Sequence, residues 1–351
     1  MNNAHEHLEI TRDFLFQLPK TDLHVHLDGS LRPETVADLA RKQNVDLPSY
    51  DPKEVEKLLT VQGKVENLGK YIEKFDITLS VLQTEEALRR AAYELAEDAA
   101  AENIRYMEVR YSPILHQEKG MDLNTIVDAV LDGLQEAEKK FNIRTGVIIC
   151  GIRSIHPETS LMLAELAVSY KGKGVVAFDL AGVEYNYPAK DHIKAFYHVR
   201  NNNINCTLHA GEAFGPASIH QAIHYCGAHR IGHGTRLIED EDLLNYVRDH
   251  RIPLEICLTS NVQTQSVPSI EAHPFKYYLE KQLRVTLNTD NRLISGTTMT
   301  DELWLAVKTF HLSFEQITKV ILNGFKSVFL PFDEKVEIYQ KAKAEIFKLA
   351  S

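Results

Sequence analysis

The chain has 351 residues, 44% hydrophobic and 25% charged, with a net charge of -10. This is an ordinary globular composition. The acidic balance argues against binding a phosphate backbone, which needs clustered Lys and Arg, and no run reaches the roughly 18 apolar residues of a membrane span.

The chain opens on a polar arm. Glu6, Glu9 and Asp13 interrupt it and no apolar leader follows, so no signal peptide is expected. Cys150, Cys206, Cys226 and Cys257 are scattered and form no C-x-x-C pair. They read as reduced, mostly buried thiols of a cytoplasmic protein. The first apolar run, Thr21–Leu27, is a predicted strand carrying His24 and His26. Residues two apart in a strand face the same side, so both imidazoles leave one face together. The pair alone is weak. A chain with 16 His has about one H-x-H by chance, and His5-Glu6-His7 in the arm is such a decoy.

Residues from about 32 to 104 exceed a single crossover helix and should hold extra helices that could cap a barrel mouth. Further apolar runs follow at Arg105–Tyr111, Thr145–Gly151, Val175–Ala181, Asn205–His209, Arg230–His233, Pro253–Cys257 and Arg284–Asn288. Helical stretches such as Glu85–Glu102, Leu123–Lys140 and Glu158–Ser169 alternate with them. Asp333–Leu349 is expected on the exterior, and Trp304 with the Phe/Tyr set in the core and helix interfaces. Eight strands alternating with helices predict the α/β class and a parallel (β/α)₈ barrel of TIM type. It should form a single domain over 1–351, with a helical insertion at about 32–104. The alternative is an open doubly wound sheet, but no Gly-rich phosphate loop follows the first run.

In such barrels catalytic residues come from the C-terminal ends of strands. His24, His26, His209, Glu212, His233 and Asp290 all sit at or just past such ends. Any one histidine there is more often a hydrogen-bonded core or surface residue; six polar residues over four runs point to one site. Three imidazoles (His24, His26, His209) and the Asp290 carboxylate suit a borderline-soft divalent ion, most often zinc. Glu212 could move a proton, or be an acid at a helix start. His233, between two glycines, could act as a base toward metal-bound water, or be a turn residue.

At these residues the chain resembles the adenosine deaminase family. The motifs are Thr21-Asp-Leu-His-Val-His-Leu-Asp-Gly-Ser30, Asp179-Leu-Ala-Gly182, His209-Ala-Gly-Glu212, Arg230-Ile-Gly-His-Gly234, Cys257-Leu-Thr-Ser-Asn261 and Leu287-Asn-Thr-Asp290. They stand in family order over nearly the whole chain. The resemblance implies a zinc-dependent barrel, with one Zn²⁺ per chain, that hydrolyses adenosine and 2′-deoxyadenosine to the inosines and ammonia in purine salvage. The ligands then fall on His24, His26, His209 and Asp290, and the proton donor to purine N1 on Glu212. His233 orients the zinc-bound water, His26 and Asp28 contact the ribose, and the Gly182 backbone lies near N3. The other zinc deaminase signature, H-x-E with P-C-x-x-C, is absent.

Two adjacent positions depart from the commonest family pattern, which has a second acid and then proline after the metal-binding acid. Here these are Asn291 and Arg292. An amide offers N7 of a purine an N–H donor at any working pH, so Asn291 is expected to read N7, or else to cap a turn. The substrate is then a small purine nucleoside. Alternatives are adenine, adenosine monophosphate or aminodeoxyfutalosine. A non-catalytic nucleoside-binding barrel is the rival outside catalysis; it should lack a ligand or the proton donor, and all are present. Asp28 favours a free nucleoside, since it would repel a 5′-phosphate. A lactonase or phosphotriesterase barrel often bridges two metals with a lysine, and no Lys stands at a strand end near His209. Oligomeric state is not legible.

Overall fold

The computed structural model describes residues 9–351, so His5 and His7 lie outside the described residues. Eight strands form one parallel sheet in sequential order. They are β1 (Lys20–His26), β2 (Ile104–Tyr111), β3 (Arg144–Ile152), β4 (Val175–Ala181), β5 (Asn205–Ala210), β6 (Arg230–His233), β7 (Leu254–Ile256) and β8 (Val285–Leu287). The sheet closes just past β8. The His26 N–H donates to the Asp290 carbonyl (2.7 Å) and the Asp290 N–H to the His24 carbonyl (2.8 Å). That closure puts the end of the last strand beside the paired histidines of the first.

Strand residues are almost wholly buried, as in a sheet covered on both faces. β7 and β8 are shorter than their apolar runs: Pro253 and Arg284 enter, and Cys257 and Asn288 leave, in non-strand backbone. The helices form where amphipathic stretches begin at a capping residue. Asp122 accepts the N–H groups of Asn124 and Thr125 (both 3.0 Å) at the start of Leu123–Lys140. That helix lies so close to Glu85–Ala101 that a Cβ at Gly133 would stand 2.2 Å from the Arg89 carbonyl. The C-terminal helix, Phe332–Ala350, buries Ile338, Ala342 and Ile346. Trp304 packs against the core, whereas Tyr197 and Phe332 are exposed; single exposed apolar groups are normal on a globular surface.

The stretch between β1 and β2 holds five helices: Pro33–Gln43, Pro52–Leu59, Leu68–Ile72, Phe75–Val81 and Glu85–Ala101. Its middle part docks on the loop after β8. Val61 N–H donates to the Ile294 carbonyl (2.8 Å) and Thr60 Oγ1 to the Leu293 carbonyl (3.0 Å). Val61, Tyr71 and Ile294 form a small apolar cluster of their own. The barrel interior carries a line of buried ion pairs instead of purely apolar layers. Glu108 pairs with Arg230, Arg230 with Glu255 (2.6 Å), Glu255 with Arg110 (2.9 Å) and Arg110 with Asp179 (3.0 Å). Each charge has a partner, which buried charges require.

Candidate active site

Four side chains meet at the C-terminal mouth of the barrel. Nε2 of His24 lies 3.0 Å and Nε2 of His26 3.2 Å from Nε2 of His209. Both first-strand nitrogens lie 3.4 Å from Asp290 Oδ1. The outer nitrogens decide the tautomers. Nδ1 of His24 donates to Glu255 (2.9 Å), and Nδ1 of His209 to Asp179 (3.0 Å). With hydrogens on Nδ1, the Nε2 lone pairs point at one another and at a carboxylate. Such an array favours a positive charge at its centre. Burial lowers His26 and His209 and keeps them neutral, whereas at His24 the Asp290 and Glu255 carboxylates outweigh burial and raise it. Arg110 ties Asp179 to Glu255, so both imidazoles are oriented through one buried cation. A borderline divalent ion fits this donor set.

His24, His209, His233 and Asp290 also form a grouping, with one ligand atom of each within 4.8 Å of the others. His233 thus crowds the same point as His26. Its ring is held elsewhere, however: Nδ1 lies 3.0 Å from Asn261 Nδ2, and Nε2 lies 3.5 Å from Glu212 Oε2. His233 and Asp290 both adopt left-handed backbone, at φ of 62° and 60°. Strain of that kind costs on the order of 1–3 kcal/mol per residue and gathers at functional sites. Ser260 Oγ donates to the other oxygen of Asp290 (2.6 Å).

Glu212 is buried, and its carboxyl is pushed up to about 8 by burial, by Asp290 and by Glu184. It is therefore mostly protonated at neutral pH. Its loop is held by Glu184, whose carboxylate accepts four successive backbone N–H groups, from Gly211 (2.7 Å), Glu212 (3.0 Å), Ala213 (2.6 Å) and Phe214 (2.9 Å). Arg153 fixes the same corner from below by donating to the His209 carbonyl (2.6 Å).

His26, Asp28, Gly182, His209, Glu212, His233, Asp290 and Asn291 all open on one cavity of about 300 Å³; the buried His24 closes its floor. Leu68, Tyr71, Ile72, Phe75 and Leu79 of the inserted helices form its roof. Among the described residues, no Lys or Arg lines it, while Asp28 and Asp76 do. Asp28 Oδ1 is buried without a partner, and burial raises its carboxyl to about 7. Gly182 takes φ 95°, which a side chain would resist. Asn291 lines the same cavity and is tied to the inserted helices. Its Nδ2 donates to the Tyr71 hydroxyl (3.1 Å), Tyr71 pairs with Ser295 (2.6 Å), and its Oδ1 is buried without a partner against Gly29.

The structure therefore places His24, His26, Asp28, Gly182, His209, Glu212, His233, Asp290 and Asn291 around one cavity. It gives partners to Asp179 and Asn261 of the quoted motifs and adds Glu255, Arg110, Glu184 and Tyr71. Glu255 and Arg110 did carry a signal, since each is a charge inside an apolar strand run. Glu184 and Tyr71 had none.

Comparison with known proteins identifies the family of the chain. A family model described as Adenosine deaminase matches residues 19–345. The "Adenosine deaminase" of Mycobacterium ulcerans (strain Agy99) is 44% identical over 345 residues, covering 93% of this chain and 95% of that protein. A Dictyostelium discoideum relative named "Probable adenosine deaminase" is 41% identical over 97% of this chain, which spans only 44% of that longer protein. Among solved structures, an adenine deaminase from Arthrobacter aurescens superposes with a TM-score of 0.86 at 25% identity, over 93% of this chain and 98% of that one. The N6-methyl-AMP deaminase of Arabidopsis thaliana gives 0.84 at 27%, over 95% and 100%.

Proposed function

The chain belongs to the adenosine deaminase family, and from that premise we infer that it hydrolyses adenosine and 2′-deoxyadenosine to the inosines and ammonia. The observation that carries the reading is the shared cavity: the His/Asp cluster and a buried, protonated Glu212 face one space of nucleoside size. His24, His26, His209 and Asp290 would hold one zinc per chain, which would act as a Lewis acid and make a water nucleophile available at neutral pH.

The remaining work belongs to side chains. Carbon 6 of adenine is a weak electrophile until N1 is protonated. Glu212 gives its proton to N1 as the oxygen adds to C6, so the ring takes up the electron pair. His233 and Asp290 orient the attacking oxygen. Asp290 accepts its first proton, which restores Glu212, and the second passes to the amino group, which leaves as ammonia while N1 keeps the proton from Glu212. Asp28, whose Oδ1 lacks a protein partner, accepts a ribose hydroxyl, and His26 lies beside it. The Gly182 backbone approaches N3, and Asn291, which gives one amide N–H to Tyr71, offers the other to the N7 edge. Asp28 and Asp76, with no Lys or Arg among the described residues lining the cavity, disfavour a 5′-phosphate, and an Asp28 that accepts a ribose hydroxyl disfavours the bare base. One catalytic barrel domain suffices for this chemistry. The four buried, unpaired cysteines suit a cytoplasmic protein.

Purified protein offered adenosine, 2′-deoxyadenosine, adenine, AMP and aminodeoxyfutalosine should release ammonia fastest from the two nucleosides. Preference for adenine or AMP would replace this substrate assignment, and no turnover of any would leave only binding.

A further inference from the structure

Which nitrogen of His233 carries the hydrogen decides whether it can accept or donate, and a buried relay behind it answers this. The backbone N–H of Phe275 can only donate, and it donates to Nδ1 of His273 (3.0 Å). Neutral His273 therefore keeps its hydrogen on Nε2. Burial holds it neutral, pushing its pKa down to about 3. Nε2 lies 3.1 Å from Oδ1 of Asn261 and donates to it. The Asn261 amide is thereby oriented, with its NH₂ turned the other way. That NH₂ donates to Nδ1 of His233 (3.0 Å). His233 is left with its hydrogen on Nε2, the nitrogen that faces Glu212 and the cavity. His233, Asn261 and His273 are all buried, so bulk water cannot readily substitute for a lost link.

We propose that this relay, from Phe275 N–H through His273 and Asn261, fixes His233 as a hydrogen-bond donor toward the reacting oxygen, with Asn261 and His273 as positioning residues. The inference rests on the proposed function, in which His233 faces the oxygen that adds to C6. A base at that place needs a bare Nε2. To expose one, the His233 hydrogen must move to Nδ1, against the NH₂ of Asn261. Turning Asn261 sets that NH₂ against the Nε2–H of His273. Moving the His273 hydrogen sets it against the Phe275 N–H, which cannot turn. Each rearrangement leaves two buried donors facing each other. His233 thus stabilises negative charge developing on the oxygen, and acceptance of that oxygen's proton falls to Asp290.

The zinc-loaded protein labelled with ¹⁵N-histidine tests this directly, with the His233 signals identified by their loss in His233→Asn. At neutral pH the hydrogen should be found on Nε2 with Nδ1 bare. Asn261→Asp keeps the shape but only accepts, so it should draw the hydrogen to Nδ1. It should also lower kcat for adenosine by about 10²-fold, as loss of a donor to a developing oxyanion does, with KM and zinc content little changed. A hydrogen on Nδ1 in the wild-type protein overturns the proposal. So does an Asn261→Asp variant that keeps both Nε2–H and wild-type kcat. If that variant does not fold, the wild-type spectrum decides alone. A protein that shows Nε2–H yet leaves adenosine untouched would retain the relay and defeat the substrate reading.

Discussion

The floor and the roof of the cavity are built on different terms. The floor consists of the strand-end residues His24, His26, His209 and Asp290; His24, His209 and Asp290 are buried and each tied to a further polar group, while His26 is partly exposed. Behind them Asp179, Arg110 and Glu255 form a continuous charged support. The roof consists of Tyr71, Ile72, Phe75 and Leu79 from short inserted helices, mostly apolar, joined to the barrel by a few hydrogen bonds. The floor holds charge in a geometry that tolerates little error; the roof excludes water and shapes the space. Changes to the floor should therefore abolish chemistry, and changes toward the roof should alter which molecule is accepted.

The contrast is sharpest at the metal ligands. His209→Ala removes a nitrogen that lies within 3.2 Å of both first-strand imidazoles, and it should lose bound zinc and activity together. Metal analysis beside an adenosine assay checks both, and near-full zinc content would place the ligand elsewhere. Glu212→Gln comes next. It should keep zinc and substrate binding but lose at least roughly 10²-fold in kcat, the low end for a positioned general acid. The donating form exists below the raised pKa of about 8 and is lost as pH rises through it, so kcat should fall on the alkaline side. Glu184→Gln removes one of the charges that hold the proton on Glu212, so the same limb should move to lower pH.

A smaller effect is expected one layer behind the ligands. Asp179→Asn keeps the shape beside His209 but removes a charge shared with Arg110. Zinc affinity should weaken by roughly 10- to 100-fold, as loss of such support typically does; competition with a chelator measures it. The smallest effect belongs near the roof. Asn291→Ala should reduce the preference for adenosine over 7-deazaadenosine by roughly fivefold, the worth of one net hydrogen bond. A variant whose discrimination is unchanged would remove Asn291 from base recognition.

The two regions also differ in how far the sequence foretells them. The barrel could be read from alternation alone, because a strand buried on both faces is a short apolar run with its own boundaries. Val175–Ala181, Arg230–His233 and the helix Leu123–Lys140 fall where their patterns predict them. The ligands could be read because each ends such a run. The support behind them could not, since Glu255 lies 231 residues from the His24 it orients, and only barrel closure joins them. Tyr71 is harder still: it sits in a five-residue helix too short for periodicity, and its partner Asn291 is 220 residues away. Nor does spacing show which amide oxygen faces which imidazole, so the hydrogen-bond sense at Asn261 became legible only from His273 and Phe275.

The central claim is that the floor does its chemistry through one metal ion held by the strand ends. Titrating metal-stripped protein with zinc, while following bound metal and adenosine turnover in the same sample, tests it most directly. Both should rise together and level off at one zinc per chain. Full turnover by folded protein free of any transition metal would contradict the account.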